Sequence, residues 1–172
     1  WAAYGKSCEE NAYTLSFRIE SLIGGMNANL DLAESSRYAI GFIKMKNGSL
    51  ATYLFKQSDQ GAIEEFFPGR PVISPSAKGS RIVDTESQNK QTEYDVDIIF
   101  DRRNIKVFVF AVGENEGADP VIDYIDPNPL SPGAIDFENL EGSSAQLRSV
   151  LLDCSSAEDE EKPPDLGEGY FE

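Results

Sequence analysis

The chain contains no histidine. That single absence removes His-based general acid–base catalysis, Ser-His-Asp triads and nearly every catalytic zinc site. Neither G-x-G-x-x-G nor a Walker A pattern occurs, so nucleotide phosphates have no cradle. Basic residues are scarce: 15 Lys and Arg stand against 30 Asp and Glu, for a net charge of −15. A nucleic-acid binder needs the opposite balance, and an anionic membrane surface would repel this one. Apolar runs are only a few residues long, so no membrane insertion is expected within this chain. A carboxylate pair can run glycoside hydrolysis, but the pattern singles out no pair among so many acids. The chain therefore reads as a non-enzyme.

Cysteine is nearly absent as well. Cys8 and Cys154 are the two thiols, with no C-x-x-C spacing and no histidine to complete a zinc site. They are either two buried free thiols or one disulfide. The disulfide is the better reading, because the pair brackets the whole patterned region and domain termini often lie close together. A bridge implies an oxidising compartment. The sequon Asn47-Gly48-Ser49 on an expected turn agrees, marking Asn47 as a glycosylation site in an extracellular or secretory-pathway protein.

What is present is enough for one folded domain: 172 residues, 40% hydrophobic and 10% aromatic. Period-two alternation dominates. Tyr13, Leu15, Phe17 and Ile19 alternate with polar neighbours, as do Met26, Ala28, Leu30 and Leu32, and Tyr94, Val96, Ile98 and Phe100. Such strands have one face in the core and one in water. Segments 38–43, 50–55 and 105–112 are apolar on both faces and are expected to be central or covered strands. Turn chemistry falls at Gly24-Gly25, Asn47-Gly48 and 101–104. The helix candidates are short, at 60–67 and 144–151, and the second reads equally well as a closing strand. The expected fold is all-β: an antiparallel β-sandwich of immunoglobulin or jelly-roll type with long acidic loops. Residues 1–154 form the domain. Residues 155–172 hold seven acids and one lysine and read as a flexible acidic linker or tail. Tyr170 and Phe171 are its docking candidates, since two aromatics gain from burial.

The irregular stretch 117–142 offers Asp119, Asp123, Asp126, Asp136 and Glu138 among Pro and Asn carbonyls, a composition that Ca²⁺ accepts. The spacing is not that of an EF-hand, and a solvated acidic loop is the preferred reading. Tyr53, Phe55, Phe66 and Phe67 are rings suited to sugar stacking, although core packing accounts for such rings more often. Phe66 and Phe67 are adjacent, so in a strand only one can face a given core, which makes the pair an interaction candidate.

In order along the chain, "NAYTLSFRIE", "MNANLDLAESSRYAIGFIKM" and "IIFDRRNIKVFVFAVGENEG" resemble the DOMON domain over about residues 11–117. "RYAIGFIKM" stands at the family's "AIGFS…M" strand, "FDRR" at its "F-x-R" and "FAVG" at its "A-x-G". The resemblance implies an extracellular β-sandwich that binds haem or sugar or serves as a module of a larger surface protein. Haem-binding members use a Met and a His as axial ligands. Met45 falls at the Met position, and the His has no counterpart. The leading expectation is a non-catalytic binding or assembly module without a cofactor, part of a larger secreted or membrane-anchored protein and engaging a protein or glycan partner. The alternatives are a haem b redox domain using Met45, a carbohydrate-binding module, and, for the acidic loop, a Ca²⁺ site.

Overall fold

The computed structural model describes residues 2–3, 8, 12–45, 50–57, the backbone of 63–65, 93–112 and 119–154. Eleven strands are found among them: β1 (Ala2–Ala3), β2 (Ala12–Ile23), β3 (Gly25–Leu32), β4 (Arg37–Lys44), β5 (Leu50–Gln57), β6 (Ile63–Glu65), β7 (Tyr94–Asp101), β8 (Asn104–Ala111), β9 (Ile122–Ile125), β10 (Ala134–Asn139) and β11 (Ser144–Asp153). They form two antiparallel sheets, in the orders β1-β10-β3-β4-β5-β6 and β11-β2-β7-β8-β9. The expected all-β sandwich is what the sequence folds into. No helix occurs among the described residues: 63–65 and 144–153 are strands.

The core follows from the alternation. Tyr13, Leu15, Phe17 and Ile19 of β2 and Tyr94, Val96, Ile98 and Phe100 of β7 face inward from the five-stranded sheet. Met26, Ala28 and Leu30 of β3 and Tyr38, Ile40 and Phe42 of β4 meet them from the other. Edge-to-face rings lock the layers together. Phe17 meets Phe42 and Phe137 at centroid distances of 5.8 and 5.1 Å, and Tyr38 meets Phe100 at 5.4 Å. Segments 38–43 and 50–55 are the centre of the six-stranded sheet, as their two-sided apolarity requires. Segment 105–112 differs. It is the internal strand β8, but its outer residues Phe108 and Phe110 stay half-exposed.

Within 117–142 the expected irregular loop contains two strands, β9 and β10. Each is short, and each inserts apolar side chains into the core: Ile122 from β9, Ile135 and Phe137 from β10. Prolines 127, 129 and 132 confine the irregular part to the loop between them.

The chain changes sheet five times, and three of these crossovers, β2 to β3, β9 to β10 and β10 to β11, lie wholly within the described residues. Gly24 carries it from β2 to β3 with φ of +76°, and a Cβ there would sit 2.1 Å from Ser143 Oγ. Ser143, in the crossover from β10 to β11, accepts a hydrogen bond from the Gly25 N–H at 2.9 Å, and Leu140 N–H donates to the Gly25 carbonyl at 3.0 Å. Two crossovers are thus zipped side by side, and the glycine is needed for both its φ and its lack of a side chain. The third crossover, 126–133, lies at the far end of β4.

Cys8 and Cys154 form a disulfide with Cα atoms 5.6 Å apart. It ties the segment between β1 and β2 to the end of β11. The closed loop spans 146 residues, so the chain-entropy model gives a stabilisation of about 5 kcal/mol. Cys8→Ser with Cys154→Ser is expected to lower the unfolding free energy by most of that amount, and with it the denaturant midpoint, with an unchanged far-UV spectrum. An unshifted midpoint would show that the bridge adds nothing to stability.

Candidate functional site

The residues between the core positions of β3 are Asn27, Asn29 and Asp31. The alternation places them in water, yet all three are buried. The register explains the two asparagines. Across β10, β3, β4 and β5, one row of outward residues reads Asp136, Asn29, Ala39, Phe55, and the next reads Glu138, Asn27, Gly41, Tyr53. Each row runs carboxylate, amide, small residue, aromatic ring. The outer face of the six-stranded sheet therefore carries a polar half and an aromatic half, divided by the small residues of β4.

Hydrogen bonds tie the polar half together. Asn29 Nδ2 donates to Asp136 Oδ1 at 2.6 Å and to Glu138 Oε2 at 3.4 Å. Both acceptors are carboxylates, which fixes the amide orientation. Arg37 Nη1 pairs with Glu138 at 3.0 Å while its Nε donates to Gln57 Oε1 at 3.2 Å. The Tyr53 hydroxyl donates to Asn27 Oδ1 at 3.1 Å, and its ring lies across Gly41, where a Cβ would be 1.8 Å from it. Phe55 stands edge-on to Tyr53 at 4.8 Å. Arg37 and Glu138 remain accessible, at 30% and 27% side-chain exposure. Asn29 Oδ1 is buried without a hydrogen-bond partner among the described residues. An acceptor in that state is costly unless a donor reaches it.

A second polar group lies inside the sandwich, at the 126–133 crossover. Lys56 Nζ pairs with Asp126 at 2.8 Å, at side-chain exposures of 8% and 3%. The Tyr38 hydroxyl donates to the same carboxylate at 2.7 Å, the Asn128 N–H at 2.9 Å, and the Leu130 N–H donates to Tyr38 Oη at 3.0 Å. Burial opposes ionisation of Asp126, but the bonds from Lys56, Tyr38 and Asn128 outweigh it and hold its pKa below the ordinary value. Burial, with the bond to Asp126, pushes the Tyr38 phenol up. Asp31 lies near by with φ of +50°. Burial raises its pKa to about 7 against a hydrogen bond from the Gly133 backbone. The Tyr13 hydroxyl approaches it but does not meet hydrogen-bond geometry.

A groove of about 650 Å³ occupies the outer face of the five-stranded sheet, lined by Ser16, Arg18, Asp95, Asp97, Phe110 and Ser149 among others. Arg18 is held bidentately by Asp95 at 2.7 and 3.0 Å, and Ser16 donates to Asp97 at 2.6 Å.

The proposed calcium ligands are not brought together. Asp126 is bound to Lys56 inside, Asp136 faces out from the six-stranded sheet bound to Asn29, Asp123 is exposed on β9 of the other sheet, and Asp119 is exposed before it. No group of three or more His, Cys, Asp or Glu among the described residues is placed to hold a metal ion. Met45 is 42% exposed, just beyond β4. Tyr53 and Phe55 share the outer face described above. Asn47, Phe66, Phe67, Tyr170 and Phe171 lie outside the described residues. Sequence reasoning missed Asn27, Asn29 and Arg37 and offered Glu138 only for calcium; their signal is polar residues in register with Ala39 and Gly41.

No family model matches the chain, and no curated protein matches it in sequence. Among solved structures it is similar to sheep galectin-11 in complex with glycerol, at 13% identity and a TM-score of 0.49, over 86% of this chain and 94% of that one.

The two interior carboxyls have opposite pH signatures. Asp126, depressed, contributes stability above its unfolded pKa that is lost as pH falls. Asp31, raised to about 7, keeps its proton in the fold while the unfolded chain releases it near 4. Stability therefore declines between about pH 4 and 7, by on the order of 4 kcal/mol for this group alone, and levels off above. Asn tolerates φ > 0, so Asp31→Asn preserves the backbone. The variant is expected to match wild type at pH 4 and to exceed it by about 2–4 kcal/mol at pH 8 in denaturant titrations. Parallel pH profiles would refute the assignment.

Proposed function

We propose that this chain is a non-catalytic binding module and that the outer face of its six-stranded sheet takes a polyhydroxylated, glycan-type ligand. The observation that carries this reading is the repeated row of carboxylate, amide, small residue and ring across β10, β3, β4 and β5. A sugar presents hydroxyls at its rim and C–H groups on its face, so it needs fixed polar groups beside an aromatic one. Arg37 and Glu138 supply donors and acceptors, and Phe55 with Tyr53 supplies the apolar side. Gly41 lets the Tyr53 ring lie flat over the middle of the sheet.

The setting is an oxidising, extracellular one, supported by the disulfide and by the sequon at Asn47. Of the two ligand classes that the DOMON resemblance implies, the sugar suits this face. Haem would need a nitrogen ligand to join an exposed Met45. Membership of a larger secreted or surface protein fits a module of this kind.

A glycan array followed by calorimetry with the best-binding oligosaccharide tests the reading. Arg37→Ala and Glu138→Gln are each expected to weaken binding about tenfold, the loss of one charge-assisted hydrogen bond of 1.5–3 kcal/mol or its lower part. An array without signal for folded, disulfide-intact protein would overturn it.

A further inference from the structure

The hydrophobic residues left on the surface are not scattered. Of six large ones exposed among the described residues, Ile23, Ile99, Val112, Ile125 and Leu151 belong to the five-stranded sheet or its ends. Phe108 and Phe110 stand between them, half-exposed and stacked parallel at 6.3 Å on the outer face of β8. Apolar side chains gathered on one sheet face, here among Thr14, Ser16 and Lys106, point to an interaction surface. Its middle is not apolar. The groove there is floored by the pairs Ser16–Asp97 and Arg18–Asp95 and walled by Phe110 and Val112 on one side and Ser149 on the other. Ser149, with φ of +56°, sits in a bulge where β11 loses register with β2, which opens that wall.

The charges select the occupant. Arg18 is neutralised by both oxygens of Asp95, and Glu93 lies 3.8 Å from it on the other side. Asp97 takes a neutral hydroxyl bond from Ser16 and pairs with no cation among the described residues. The groove is thus left with net negative charge beside an aromatic ring, the combination that suits a guanidinium or ammonium group. We infer that the outer face of the five-stranded sheet docks a segment of a protein partner in which an arginine or lysine is flanked by apolar residues. The cation enters the groove between Asp97 and Phe110, and the flanking side chains cover Phe108, Val112 and Leu151. This surface lies on the sheet opposite the proposed glycan face and is independent of it. The chain's net charge of −15 speeds the approach of a basic partner without choosing the groove.

The test is an amide-shift titration of the intact, disulfide-bonded chain with the peptide Ala-Leu-Arg-Leu-Ala, and with Ala-Leu-Glu-Leu-Ala as control. The arginine peptide is expected to shift residues 16–18, 95–97 and 110–112, and the glutamate peptide none of them. Asp97→Asn and Phe110→Ala should each raise the dissociation constant at least threefold. Asp123→Asn, which removes the same charge on β9, should leave it unchanged. Phe110→Ala removes a half-exposed ring and leaves the polar floor intact, so it reports even if Asp97→Asn perturbs the sheet. Shifts spread over the acidic surface, or an equal loss with Asp123→Asn, would overturn the inference.

Discussion

The ion pair between Lys56 and Asp126 carries more of this architecture than its size indicates. Asp126 ends β9 in the five-stranded sheet, and Lys56 and Tyr38 are inward residues of β5 and β4 in the other. One carboxylate therefore joins the two layers where hydrophobic packing gives way to a loop. The Asn128 N–H binds the same carboxylate and the Leu130 N–H binds the Tyr38 hydroxyl, so the crossover to β10 is held by this group as well. A buried pair of this kind adds little net stability over an apolar substitute, but losing one partner costs about 3–5 kcal/mol. Its contribution is geometric: it anchors the first half of the crossover that leads into β10. The start of β10 in turn fixes the register that puts Asp136 and Glu138 beside Asn29 and Asn27.

The other end of β4 is held differently, by backbone groups and one serine hydroxyl. Lys44 N–H donates to the Gly24 carbonyl, and the Gly24–Gly25 crossover is bonded to 140–143. β10 thus follows a crossover anchored by a charge and ends at a glycine zipper. Between two fixed ends a strand cannot slip, and slippage by one residue would exchange the polar row for Ile135 and Phe137. Precision at the outer face is inherited from both crossovers, neither of which touches it.

Much of this is legible in the residues. Period-two alternation over 13–19, 26–30 and 94–100 fixes which side chains form the core, and a cysteine at each end of that pattern becomes the bridge. The sequence is less informative where the environment of a polar residue decides. Met-Asn-Ala-Asn-Leu-Asp reads identically whether the polar side faces water, a side-chain network or the interior, because hydrophobic periodicity reports burial of one face and is silent on the other. β9 and β10 are hidden for a related reason. Strands of four and six residues with acids at their outward positions resemble a loop in composition, and their inward residues alone declare them. The partnership of Lys56 with Asp126 spans seventy positions and leaves no local trace.

The informative signal for an outer face lies across strands. Within β3 the two asparagines look like solvated positions; within β4, Ala39 and Gly41 look like weak packing. Set in register, the small residues are what allow Tyr53 to lie flat and reach Asn27. A merely solvated face has no use for such shape, since water accommodates any side chain, and glycine in a central strand costs about 1 kcal/mol against alanine. That cost is met on the one strand that separates the polar half from the aromatic half. The opposite sheet has no equivalent division. Its outer rows mix Ser16, Asp97 and Phe108, or Arg18, Asp95 and Phe110, without a small residue between acid and ring. The two outer faces of one sandwich are therefore built differently, the first with an aromatic ring lying over the glycine of its central strand and the second with paired charges beside half-exposed rings.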